Sequence, residues 1–188
     1  MTATLSCNRP IVVVSLLLRT GPFRRPVFTR PMVSAMTPDI EVSRDIAAAP
    51  SVVYAALTDI ARMGEWSPEN YHAEWNEGFD HAAVGAKFTG HNRHGDKEWT
   101  TEAEVVELVP DRRFFFDCDS RGFVFAKWGY AIEATEAGCR VTEYNQDLRP
   151  ESALERSATI SGVVDRLAHN RTGMEQTLER LAAALEAN

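Results

Sequence analysis

The chain has 188 residues, enough for one domain with a real core, and its 44% hydrophobic and 25% charged residues are ordinary for a soluble globular protein. The net charge of −7 is uneven: residues 1–38 hold five arginines and no acid, while the other 150 residues carry fifteen bases against 27 acids. An acidic body argues against a nucleic-acid or anionic-membrane partner, and three scattered cysteines (Cys7, Cys118, Cys139) form neither a disulfide framework nor a zinc ribbon, so they read as reduced thiols in the cytoplasm.

Residues 1–37 stand apart. The apolar run Pro10–Leu18 is far shorter than the roughly 20 residues a bilayer span needs. Arg19 to Pro26 then follows, basic and bulky where a signal peptide needs small residues, so a cleaved signal is disfavoured. The segment reads as a disordered extension or as sequence upstream of the true start, with Met32 or Met36 as initiator. The folded domain is expected over residues 38–188.

Pro38 to Ile46 alternates polar and apolar residues, the pattern of a half-buried strand. Pro50 suits a first helical position, and Val53, Leu57, Ile60 and Met63 follow at helical spacing. Thr58-Asp59 divides this segment into two short helices, and Ser67-Pro68 ends it. Strands are predicted at Tyr71–Trp75, Ala86–Arg93, Glu98–Val109, Arg112–Asp117, Val124–Ala134 and Cys139–Asp147. The turn residues between them are His94 to Lys97, Pro110-Asp111 and a four-residue loop, Thr135 to Gly138. Phe114, Phe115 and Phe116 in succession suit a central strand covered on both faces, or one near a rim. Pro150-Glu151 opens a terminal helical region that Gly162 interrupts.

From Val163 to Ala187, Leu167, Asn170, Met174, Leu178, Leu181 and Leu185 recur at three- and four-residue steps and define one helix face. That stripe must be buried against the sheet. The result is an α+β fold: one strand, two short helices, six more strands in an antiparallel meander, and a long C-terminal helix in the concave side of a curved sheet of about seven strands.

Several motifs resemble one family. Ile40 to Pro68, with Ala49-Pro50, Asp59 and Glu65-Trp66-Ser67-Pro68, resembles the start of the START-related polyketide cyclase/dehydrase and lipid-transport superfamily (SRPBCC). Gly85 to Arg93 followed by Trp99 is similar to a sub-group found in actinobacteria, as are Trp128-Gly129-Tyr130, Gly138 to Glu143 and Asn170 to Met174. The resemblance covers about residues 38–187 and implies the helix-grip fold, with a hollow between sheet and helix. It implies no universal catalytic motif, because the family mixes ligand carriers with cyclases.

Register then predicts the lining. Pairing Ala134 with Cys139 sets Ile132 opposite Val141, Tyr130 opposite Glu143 and Trp128 opposite Asn145, all on one face, with Glu133 and Arg140 as an ion pair on the other. Phe88, Gly90 and Asn92 share a face on one strand and Trp99, Thr101, Ala103 and Val105 on the next, with Gly90 leaving space. Phe114 and Phe116 add apolar wall, and Asn170 and Met174 face it from the helix. Gly173 is expected to permit a close approach or a bend, and His169 to face solvent.

A carboxylate among aromatics costs several kcal/mol unless paired, hydrated or protonated. Glu143 is therefore either a ligand contact, an acid or base of raised pKa, or half of a structural bond to Tyr130. His91 and His94 lie across a hairpin turn with no third histidine or cysteine in view, so no metal is expected, nor any other cofactor.

Three functions stay open. The first is binding of a hydrophobic or aromatic small molecule, lipid- or polyketide-like, by Phe88, Asn92, Trp99, Phe114, Phe116, Trp128, Tyr130, Glu143, Asn145, Asn170 and Met174. The second is a polyketide cyclase, aromatase or dehydratase using Glu143 and Tyr130. The third is a protein-interaction module. A monomer or homodimer is expected.

Overall fold

The computed structural model describes residues 36–187. The predicted extension, Met36 and Thr37 excepted, and Cys7 within it lie outside the described residues.

The elements follow the predicted order. Strand β1 (Ile40–Ile46) leads into α1 (Pro50–Thr58), a single 3-10 turn (Ile60–Arg62) and the one-turn helix α2 (Met63–Trp66). Six strands follow: β2 (Asn70–Trp75), β3 (Lys87–His94), β4 (Lys97–Val109), β5 (Arg113–Ser120), β6 (Phe123–Thr135) and β7 (Gly138–Asp147). Helices α3 (Glu151–Ser161) and α4 (Arg166–Glu186) close the chain.

All seven strands form one antiparallel sheet in the order β1-β7-β6-β5-β4-β3-β2. Five hairpins generate five of the six neighbouring pairs, and the α1–α2 segment carries the chain from one edge, β1, to the other, β2. Irregularities between Val105 and Glu107, between Cys118 and Asp119, and between Asn70 and His72 interrupt the ladder. Such bulges bend and twist the strands that carry them. The sheet curls around α4, which packs against β1, β7 and α2, and this is the helix-grip α+β fold.

The core lies between the concave sheet and the helices. Val53, Leu57 and Ile60 meet Val105, Phe114, Val141, Leu178 and Leu181, all at 3% exposure or less. Each such side chain contributes about 1.5–3 kcal/mol by leaving water. Cys118 and Cys139 are free and buried in the same region. Among the described residues no helix is long and apolar enough to cross a membrane.

Several local expectations are corrected. Leu167 is 49% exposed, because the inward side of the first turn of α4 is taken by Arg166 and His169, both bonded to Glu69. The Asp165 side chain caps that turn by accepting from the Ala168 N–H at 3.0 Å. The Thr135–Gly138 loop tightens to a two-residue turn, since Thr135 pairs with Gly138. Arg140 is bonded to Asp45 of β1 rather than Glu133, with Nε–Oδ1 at 2.7 Å and a second contact at 2.9 Å. Asp45 and Glu133 flank Arg140 in the ladder, and the aspartate takes both guanidinium contacts. Strand β5 runs to Ser120, three residues past its predicted end. Gly173 makes no unusually close approach, for a Cβ there would sit 3.7 Å from Pro68 Cγ, an ordinary contact. Gly162 does end α3, in the left-handed region at φ 72°.

Candidate functional site

A cavity of about 510 Å³ opens between the concave sheet, α4 and α3. Nine of the eleven predicted contact residues line it; Phe114 and Met174 do not. Both are only 1% exposed and are packed as core side chains. The register between β6 and β7 is the predicted one, Tyr130 opposite Glu143 and Trp128 opposite Asn145, and between β3 and β4 Asn92 lies opposite Trp99.

The inner wall is centred on Tyr130 and Glu143, which are 6% and 4% exposed. The Tyr130 hydroxyl donates to Glu143 Oε1 at 3.0 Å, while buried Oε2 has no partner among the described residues. Burial pushes the Glu143 carboxyl up to about 8, and the Tyr130 bond offsets this only partly. At neutral pH the group is therefore mostly a neutral acid, a hydrogen-bond donor in an apolar wall. Burial, and then the neighbouring carboxyl, push the Tyr130 phenol well above its ordinary range. It remains a donor at any physiological pH. Cys118 also lines the wall, but burial pushes its thiol up to about 12, which excludes a thiolate nucleophile.

Amides hold the rest of the wall. Asn170 of α4 donates to Asn145 Oδ1 at 3.1 Å, and Asn145 donates to the Lys127 carbonyl at 3.3 Å, so one bonded chain fastens α4 to β7 and β6. Asn92 donates to Thr101 Oγ1 at 3.0 Å and accepts from Asn70 at 3.3 Å. Gly90 makes room for this: a Cβ there would sit 2.6 Å from Asn70 Nδ2. Asn70 Oδ1 is buried without a partner among the described residues.

Charged pairs ring the mouth. Glu69 accepts from both Arg166, at 2.8 and 3.0 Å, and His169, at 2.6 Å. Burial alone would raise the Glu69 carboxyl, but His169 and Arg166 together outweigh it and hold the group below its usual range. His169 is thus half-buried and engaged, not solvent-facing as expected. The Arg166 guanidinium also lies 5.7 Å from the Trp99 ring. Arg149 bridges Asp147 and Ser157, and the His94 ring contacts the Ser161 carbonyl at 3.1 Å. These two contacts tie α3 across the opening. Helix α3 has little other anchorage, for Leu154 and Ile160 are 41% and 50% exposed and its one buried residue is Ser161.

Sequence reasoning missed Glu69, Asn70, Arg149 and Arg166. Asn70 was recoverable from its position one turn of chain after Pro68, but only with the Tyr71 bulge known. The three mouth residues leave no pattern, because they meet through tertiary packing of α3, α4 and the α2–β2 link.

A family model described as polyketide cyclase/dehydrase and lipid transport matches residues 37–186. A search of curated proteins gives no match. Among solved structures, the polyketide-cyclase-like protein Cgl2372 of Corynebacterium glutamicum is 32% identical, with 78% of this chain and 90% of that one covered at a TM-score of 0.52. The di-domain aromatase/cyclase StfQ of the steffimycin pathway is 15% identical, covering 79% and 50%, at 0.62. The Aha1 dimer of Colwellia psychrerythraea is 19% identical, covering 80% and 97%, at 0.55. At such identities the last two are likenesses of fold alone.

Proposed function

The chain belongs to the polyketide cyclase/dehydrase and lipid transport family, and on that basis we propose that it binds one hydrophobic or aromatic small molecule in the hollow between its sheet and α4. The observation that carries this reading is the Tyr130–Glu143 pair on the cavity wall. The Tyr130 hydroxyl is committed to Glu143 Oε1, which leaves the neutral carboxylic acid as a free donor among Phe88, Phe116 and Trp128. A plain core would fill such space with apolar atoms, since an unpartnered buried oxygen costs about 1–3 kcal/mol. A ligand that carries a carbonyl or phenolic oxygen on an aromatic or aliphatic body would accept from Glu143 and leave the apolar walls dry.

Native mass spectrometry of protein purified from its own host, followed by denaturing extraction, tests this. A stoichiometric apolar compound is the expected result. A clean apo mass, together with no saturable binding of the neutral fluorophore N-phenyl-1-naphthylamine, would reject it.

The same pair is the reactive centre of the catalytic alternative. Glu143 would protonate, and Tyr130 polarise, a carbonyl of a polyketide-like substrate, while the cavity held the chain near its attacking geometry. Binding comes first in either case, so a bound ligand defines which substrate to offer.

A further inference from the structure

On the face of the sheet away from the cavity, strands β2 and β3 bring together His72, Glu74 and His91. The bulge at Tyr71 sets the register. Asn70 pairs with Asn92 facing the cavity, Tyr71 is the extra residue, and His72 then falls directly opposite His91. Glu74 is two residues further along the same face of β2, at the right period to share it. The two imidazole rings lie 5.3 Å apart, and Glu74 Oε1 is 3.2 Å from His91 Nε2. One ligand atom from each of the three residues lies within 4.8 Å of the others.

We infer that His72, Glu74 and His91 form a binding site for a divalent transition-metal ion, zinc being the best match. Two neutral imidazoles and one carboxylate are a borderline donor set, suited to zinc, nickel, copper or cobalt, and not to magnesium or calcium, which need oxygen shells. Ligands about 2.0–2.2 Å from one ion stand roughly 3.3 Å apart, so the present triangle closes by about 1 Å or less per ligand atom. His72 and Glu74 are exposed and free to make that adjustment, whereas His91 is half-buried and fixed against the Tyr71 ring at 6.2 Å. Arg93, two residues along β3 from His91, is stacked over Tyr71 at 4.5 Å and bonded to Glu98 at 2.9 Å, which offsets its charge. An ion pair between His91 and Glu74 explains those two residues but gives His72 no part.

The ion would pin β2, an edge strand with one neighbour, to β3. It would thereby fix Asn70, two residues before His72, at the cavity mouth. The remaining coordination positions face outward and would hold water.

Isothermal titration calorimetry of the tag-free full chain with zinc chloride, and with magnesium chloride as control, tests the site. One equivalent of zinc and no magnesium is the expected result, with His72→Ala and His91→Ala each weakening zinc by about tenfold or more and Glu74→Gln by less. Zinc should raise the melting temperature of the wild type and of neither histidine variant. Absence of zinc binding would overturn the inference. So would binding that survives both histidine substitutions, or binding that disappears only on alkylation of thiols. Because all three side chains lie on the outer surface, circular dichroism of the variants should match the wild type.

Discussion

Tyr130 and Glu143 face each other across adjacent strands, hydroxyl to Oε1 at 3.0 Å, both buried on the wall of the cavity. The consequence is a carboxyl group that is neutral inside the fold and ionised outside it. Its folded value, about 8, lies above its ordinary value of 4.5. Below the lower value both states are protonated, and the group's contribution to stability is fully present. As pH rises from there to about 8, the unfolded state loses its proton and the folded state does not, so that contribution is lost.

Glu143→Gln keeps the shape and removes the titration. Urea unfolding as a function of pH should show the variant equal to the wild type near pH 4.5 and increasingly more stable up to about pH 8. The gain should not exceed about 5 kcal/mol. Parallel curves over that interval would show that Glu143 ionises normally.

Ligand binding should follow the folded-state value alone. If the neutral acid donates to a ligand carbonyl, affinity should fall once pH exceeds about 8, and Glu143→Gln, whose amide also donates, should flatten that fall. For the catalytic alternative the same variant separates roles: full turnover on an identified substrate would remove Glu143 as proton donor.

Core side chains that do not line the cavity are predicted to be energetically distinct from its wall. Met174→Ala and Phe114→Ala should each cost about 2–5 kcal/mol in denaturant unfolding, because both side chains are fully packed. Neither should change the stoichiometry of a bound probe. Trp128→Ala should do the reverse, costing less stability and weakening the probe, since that half-buried ring lines the hollow.

At the mouth, Glu69→Gln leaves Arg166 and His169 without their shared carboxylate. The Glu69 side chain is 25% exposed, so solvent screens part of the loss, and about 1–3 kcal/mol is expected at neutral pH. Because the folded-state carboxyl is held below its usual range, the difference from wild type should be present above that range and vanish as pH falls through the folded value. A difference that persists in strong acid would mean that packing, not charge, connects α4 to the α2–β2 link.

Much of this architecture was legible in the chain. The residues Ala134 and Cys139 flank a short turn, and from them strict alternation placed Tyr130, Glu143, Trp128 and Asn145 on one face in the observed register. Period-two patterns carry that information because a one-residue slip would expose every apolar side chain. Packing was not legible: Met174 and Phe114 share a face with lining residues yet are buried without lining the cavity, since periodicity gives direction and not distance. Leu167 kept the helical period, yet in the first turn of α4 the inward side belongs to Arg166 and His169, and it is left half exposed. The Tyr71 bulge was equally silent, and it alone places Asn70 at the mouth and His72 beside His91. Arg140 shows a third limit, for its choice of Asp45 over Glu133 depended on β1 pairing with β7 from a distance of about a hundred residues along the chain.

The most direct test of the central claim is native mass spectrometry of the protein from its own host, read beside a titration with N-phenyl-1-naphthylamine. The account predicts one apolar molecule per chain, released on denaturation, and a saturable single site for the fluorophore in the emptied protein. A clean apo mass with no saturable fluorescence would contradict it, and would leave the Tyr130–Glu143 pair as a structural bond in an unused hollow.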